Sequence, residues 1–269
     1  VISTASPSWL DLRAVADDAA RSRPLATALA ELLPAGPVEL HDLGAGTGGM
    51  TRWLAPRLAG PQRWVLHDGD ARILEHLDLR SVVDDAGRPV IVGTLLEDLD
   101  RLPLGAFRGA AGVTASALLD VLTRDEAARI VAACIEARAP ALFSLSVTGR
   151  VTLDPPDGDD ARLGAAFNDH QRRDADGRRM LGPEAVPVLG LLFADAGWHV
   201  RREPTPWRLG PSDAALIAEW LDGWVTAAVA QRPELGAIAG AYVARRQAQI
   251  ADGTLRVDVG HEDVLAWPR

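Results

Sequence analysis

Apolar positions recur along this chain with two periods, about two and about 3.6, and the exchange between them predicts the elements. Val38, Leu40 and Leu43 read as a strand; Met50, Trp53, Leu54 and Leu58 follow at helical spacing. Further strands are predicted at residues 63–68, 89–94, 112–116, 141–147, 199–203 and 254–267. Helices are predicted at 71–79, 124–138 and 185–197 between them. Two more precede the first strand within 8–33, the first capped by Ser8 and the second with Pro24 in its first turn. The stripes Leu216, Ile217, Trp220, Leu221, Trp224 and Leu235, Ile238, Tyr242 predict a helical hairpin over 212–231 and 234–250. Strands alternating with helices imply an α/β protein with a mostly parallel sheet.

The division expected is a helical lead-in at 1–37, a core at 38–211, a helical cap at 212–251 and a terminal strand of the core sheet at 252–269. Within the core, residues 148–182 lose periodicity and crowd Asp, Arg and His together. A charged insertion after a strand's carboxyl end lies over the ligand crevice of such a sheet, so it is expected to be a lid.

The first strand ends in Asp42-Leu43-Gly44-Ala45-Gly46-Thr47-Gly48-Gly49. Glycines admit a tight turn and a close ligand, and the first turn of the helix beyond offers unpaired N–H groups. Gly44, Gly46 and Gly49 satisfy the dinucleotide pattern G-x-G-x-x-G, which alone is weak. Asp42, two places before the first glycine, would repel a pyrophosphate and suits a ligand carrying an ammonium group. Asp68 closes the next strand 22 residues after Gly46, where a carboxylate can accept from ribose hydroxyls. Asp70 reads as the N-cap of the helix that follows.

The stretch Asp42-x-Gly44-x-Gly46-x-Gly48 with Asp68 resembles the first motifs of class I S-adenosylmethionine-dependent methyltransferases. The resemblance implies a Rossmann-like doubly wound sheet whose last strand is antiparallel, with the helical pair inserted before it. It implies S-adenosylmethionine as cofactor and S-adenosylhomocysteine as product. Cofactor contacts are implied for Asp42, Gly44, Ala45, Gly46 and Gly48 in the loop and for Asp68 and Gly69 after the second strand. Thr94-Leu95 occupies the place of the family's acidic-plus-apolar adenine pair without its acid, and Asp98 is an alternative at another offset. Ser116 ends the fourth strand, which faces the methyl group in the family. The insertion around Phe167–Asp174 and Leu181-Gly182-Pro183 resembles one in bacterial members of the superfamily.

Composition narrows the function. Hydrophobic residues make up 48% and charged residues 24%, ordinary for a globular protein. No apolar run reaches the length of a membrane helix, and no secretory leader is recognisable, so a cytoplasmic location is expected. The single cysteine, Cys134, sits on an apolar helical stripe and is expected in the core; it excludes an intrachain disulfide. The net charge of −9 argues against a broad nucleic-acid surface. No histidine pair has the spacing of a helical zinc site, and no metal is expected.

Methyl transfer from a sulfonium is mainly alignment, with a general base needed only for a protonated acceptor. His170, Asp169 and Asp120 are the candidate bases. Arginines 172, 173, 178 and 179 suit an anionic small-molecule acceptor, or else a charged loop pairing with its own aspartates. Three other functions fit the same loop: a nicotinamide-dependent oxidoreductase, a methyltransferase-like binding protein without activity, and an RNA methyltransferase.

Overall fold

The computed structural model describes residues 5–175 and 177–269. Helices α1 (Pro7–Ala20) and α2 (Arg23–Leu32) lead into β1 (Val38–Leu43), α3 (Gly49–Leu54), β2 (Gln62–Asp68), α4 (Ala71–Leu74) and β3 (Ile91–Leu96). Then come β4 (Gly112–Ser116), α5 (Arg124–Ala137), β5 (Ala141–Asp154), α6 (Asp160–Gln171) and the short ribbon β6 (Asp174–Ala175) and β7 (Arg178–Arg179). The chain closes with α7 (Ala185–Asp195), β8 (His199–Pro204), β9 (Trp207–Leu209), α8 (Ala214–Gln231), α9 (Gly236–Ala251) and β10 (Arg256–Trp267).

One eight-stranded sheet runs in the order β3-β2-β1-β4-β5-β10-β8, with β9 beside β10. The pairs among β3, β2, β1, β4 and β5 are parallel, and β10 is antiparallel to both β5 and β8. The order reverses at β1, and both β1 and β4 end at that switch point, where ligands bind in open α/β sheets. This is the Rossmann-like α/β fold with an antiparallel last strand. One core lies between the sheet and α5/α7, around Phe107, Ile130, Phe143 and Phe193. A second lies under α2 and α3, around Leu29, Leu40, Trp53 and Trp64. A third joins α6, α8, α9 and α1 around Leu163, Trp224 and Tyr242. Cys134 is buried in the first core.

Four elements differ from expectation. Ser6, not Ser8, caps α1, accepting from the Trp9 N–H at 3.2 Å. The helix expected to 79 stops at Leu74; Leu79 instead fills the space beneath Gly48, 2.9 Å from where a Cβ would stand. β5 runs to Asp154, because β10 pairs with it from Ala141 to Asp154 through two bulges. The aperiodic insertion contains the twelve-residue helix α6, whose apolar side, Leu163 and Ala166, packs into the third core.

The lead-in is fastened where it can cover the sheet's carboxyl edge. Asp263 of β10 is buried and accepts from the Ser22 N–H at 2.9 Å, the Leu145 N–H at 2.7 Å and the Thr205 hydroxyl at 2.8 Å. Burial raises its pKa, and these donors oppose the rise. Trp207 donates from Nε1 to Asp17 at 2.9 Å, and the Arg13 guanidinium lies 4.8 Å from the Trp207 ring centre while bonding the same aspartate. These contacts set α1 across the mouth of the glycine loop.

Candidate functional site

A cavity of about 290 Å³ opens there, close to the lower end for small-molecule sites. The glycine loop, the ends of β2, β3 and β4, and the inner face of α1 form its wall.

The loop is shaped by conformations that side chains resist. Gly44, Gly46 and Gly48 have φ of +56°, +57° and +79°. A Cβ on Gly44 would stand 2.8 Å from Leu118 Cδ1. Below the loop, Asp42 is fully buried and accepts from the hydroxyls of Thr114 at 2.7 Å and Thr51 at 2.9 Å. It knots β1 to β4 and α3, so its oxygens already serve the fold. Burial raises its pKa against those two bonds.

Asp68 ends β2 and is 9% exposed. It accepts from the Gly46 N–H at 2.9 Å and the Asp70 N–H at 3.0 Å. A carboxylate offers about four lone-pair sites, so capacity remains toward the cavity. Asp70 caps α4, accepting from the Arg72 N–H at 2.9 Å. Ala45, Gly46, Gly69 and Ser116 lie in the wall. Gly48 lies outside it, as the left-handed N-cap of α3.

Thr94 and Leu95 do not reach the cavity wall. They sit inside β3, opposite Leu66 and His67, because β3 continues to Leu96. The wall takes Glu97, Asp98 and Leu99 from that strand end. Asp98 Oδ1 lies 3.1 Å from the position a Cβ would take on Gly69. Asp98 and Leu99 are thus an acid and an apolar neighbour that the wall does present.

α1 supplies Arg13, Asp17, Asp18 and, at its C-cap, Arg21 to the wall. Arg21 is 4% exposed. Its guanidinium donates to Asp18 Oδ1 at 2.5 Å and Ser116 Oγ at 3.1 Å, while its Nε is buried without a partner. Burial, first, raises the pKa of Asp18, and Arg21 opposes the rise. Among the described residues, Arg13, Arg21 and Arg52 are the cations of a wall otherwise rich in carboxylates.

No protein-family model matches the sequence, and no curated protein matches it. In shape the chain is similar to an S-adenosylmethionine-dependent methyltransferase from Geobacter sulfurreducens solved with S-adenosylhomocysteine, at 15% identity over 99% of this chain and 100% of that one, TM-score 0.49. A methyltransferase from Thiobacillus denitrificans, also with S-adenosylhomocysteine, is 12% identical over 99% and 100%, TM-score 0.49. The cyclopropane synthase MmaA2 from Mycobacterium tuberculosis is 16% identical over 90% and 81%, TM-score 0.46.

The three candidate bases part company. Asp120 follows β4 in the turn Leu119–Val121; it is not itself a wall residue, but its chain neighbour Val121 is. Burial pushes its carboxyl up to about 6, against its own backbone N–H and the Arg13 charge. Asp169 and His170 lie on α6, outside the wall. Asp169 is engaged by Arg232 and by Arg172. His170 is partly buried, its Nδ1 without a partner. The insertion's arginines are also spent: Arg172 on Asp169, Arg173 on the His170 carbonyl at 2.7 Å, and Arg178 on Glu126 at 2.9 Å. Neither they nor Arg179 enters the wall, so the cavity draws no anion-binding groups from the insertion. Among the described residues no cluster suits a metal ion, and no helix is long and apolar enough to cross a membrane.

Proposed function

We propose that this protein binds S-adenosylmethionine in the cavity and transfers its methyl group to a small-molecule acceptor. The observation that carries the proposal is the unspent capacity of the wall. Asp68 retains lone pairs, Arg21 Nε is buried without a partner, and carboxylates predominate around them. These residues fit a ligand with hydroxyls, a carboxylate and net positive charge. Asp68 would hold the ribose hydroxyls, Asp98 and Leu99 the adenine edge, Arg21 the methionine carboxylate and Asp18 its ammonium group. A dinucleotide places a pyrophosphate near the glycines, where Asp42 and Asp68 would repel it, so the wall favours the sulfonium ligand. The net charge of −9 likewise speaks for a small acceptor over RNA.

When bound, the cofactor supplies an electrophilic methyl group on a sulfonium. The chain's own residues orient and exclude. Ser116, Ala117 and Leu118 form the wall where β4 ends, and there an acceptor would approach in line. α1 covers the opening and lowers the access of water. Asp120 would take the proton of an O–H or N–H acceptor on its carboxylate, and a carboxyl near 6 is ionised at neutral pH yet basic enough to serve. An anionic acceptor is not favoured, since arginines 172, 173, 178 and 179 all lie outside the cavity wall. The setting expected is the cytoplasm, where the cofactor is made.

Calorimetry with S-adenosylmethionine, S-adenosylhomocysteine and NAD tests the assignment on the wild type and on Asp68→Ala. Affinity in the micromolar range, about −8 kcal/mol, for the first two ligands and not for NAD is expected, weakened at least tenfold (about 1.4 kcal/mol) by the substitution. NAD binding in their place would return the oxidoreductase. Binding without methyl transfer to any acceptor in a broad screen would favour the inactive binding protein.

A further inference from the structure

Four polar side chains cross the sheet in a line that the proposed transfer does not use. His41 on β1 and His67 on β2 are 5% and 1% exposed. His67 Nδ1 meets Glu97 Oε1, and its Nε2 lies 2.7 Å from His41 Nδ1. His41 Nε2 lies 3.4 Å from Glu39 Oε1. Arg63 holds the other oxygen of Glu39 at 2.9 Å, on the far side from the cavity. Phe107 closes the line edge-on, 5.3 Å from His41 and 6.1 Å from His67 between ring centres, and brings no polar group. Glu97 is a cavity-wall residue.

Proton counting fixes the line's polarity. Three contacts need three protons, and with both rings neutral the line carries two. The contact without a proton must be the longest, the 3.4 Å one at Glu39. Both rings then carry the proton on Nδ1: His41 donates to His67, and His67 donates to Glu97. Burial, with His67 next, depresses the pKa of His41, which keeps that ring neutral near pH 7.

We propose that His41 and His67 are positioning residues that fix one oxygen of Glu97, with its free oxygen turned into the cavity as a second acceptor for the adenosine hydroxyls or amine beside Asp68. The assignment rests on the cofactor proposed above. One oxygen of Glu97 is fixed from behind by His67, so the other is presented in one direction without loss of rotamer freedom on binding.

Nitrogen-15 spectra of the histidine rings and calorimetry with S-adenosylhomocysteine test this together. The wild type should show Nδ1–H on both rings. Glu97→Gln should move both protons to Nε2, because the new amide can donate to His67 and complete the line in reverse. His67→Leu should weaken S-adenosylhomocysteine about tenfold, the scale of a lost bond to a charged group, while His67→Gln, whose amide can still donate to Glu97, should stay within about threefold of the wild type. Circular dichroism and thermal melting confirm that each variant is folded. Nε2–H rings in the wild type, or unchanged binding by folded His67→Leu, would overturn the proposal alone. Absence of binding by the wild type would overturn the cofactor assignment and the ligand role of Glu97 with it.

Discussion

The carboxyl edge of β1–β4 and the α6–α8–α9 side of the molecule are both crowded with charge, and they use it in opposite ways. On the second side most of the charges pair with one another. Arg246 is wholly buried and donates to Asp160 at 2.6 Å, to the Pro155 carbonyl at 2.7 Å and to Gln249 at 2.8 Å; Tyr242 donates to the same aspartate at 2.7 Å. Arg245 takes Asp157, and Asp169 is shared by Arg172 and Arg232. At the first edge, Asp68 keeps lone pairs and Arg21 keeps an unpartnered Nε within a cavity wall; the Nε of Arg246 is also buried without a partner, but Arg246 lies outside that wall. A charged stretch is thus a poor guide to a site until its internal partners are subtracted.

The largest effect should come from breaking the self-satisfied side. Asp160→Ala strands the buried Arg246 charge, and the cost should be about 3–5 kcal/mol. Urea unfolding measures it, and S-adenosylhomocysteine affinity below the transition should be unchanged. A loss of affinity in the folded protein would tie the two regions together.

Next is Asp120→Asn. Methyl transfer to an O–H or N–H acceptor should fall about 100-fold, with cofactor affinity unaltered. The wild-type rate should rise with pH through about 6, as the raised carboxyl ionises. Stability should move the other way. A carboxyl with a raised folded pKa binds protons more tightly in the native state, so its contribution is full below about 4 and is lost as pH rises through about 6. A rate profile flat across that range would remove Asp120 as the base.

Gly44→Ala sharpens the contrast from the loop side. It forces a non-glycine residue to φ +56° and places a Cβ 2.8 Å from Leu118 Cδ1. A loss of about 1–2 kcal/mol is expected by thermal melting, with weakened cofactor binding because Leu118 shares the wall. The smallest effect belongs to Arg172→Ala. Its exposed pair with Asp169 should be worth no more than about 1 kcal/mol, and acceptor turnover should be unaffected. A large rise in KM would restore the insertion's arginines to the site.

The same contrast explains what the sequence disclosed. Gly44, Gly46, Gly48 and Asp68 were legible because a strand–loop–helix unit is written over about thirty consecutive residues. Arg21 was not, since its partner Ser116 lies 95 residues away and nothing local marks it as more than a helix end. Thr94-Leu95 was misplaced because the register of β3 against β2 carries the strand to Leu96, which moves the wall to Glu97–Leu99. The full length of β5 depends on β10, from which it is separated by a hundred residues. His41 and His67 looked like unrelated structural histidines until the parallel pairing of β1 and β2 brought them together. The α6 helix was hidden because only Leu163 and Ala166 of its twelve residues are buried, too narrow an apolar stripe to mark helical spacing in the sequence.

The most direct measurement is a crystal structure grown with S-adenosylhomocysteine. The adenosine should lie between Asp68 and Asp98, with the homocysteine carboxylate on Arg21 and the sulfur facing the end of β4. Ligand density elsewhere, or a cavity left vacant at saturating ligand, would contradict the assignment of this cavity to the cofactor.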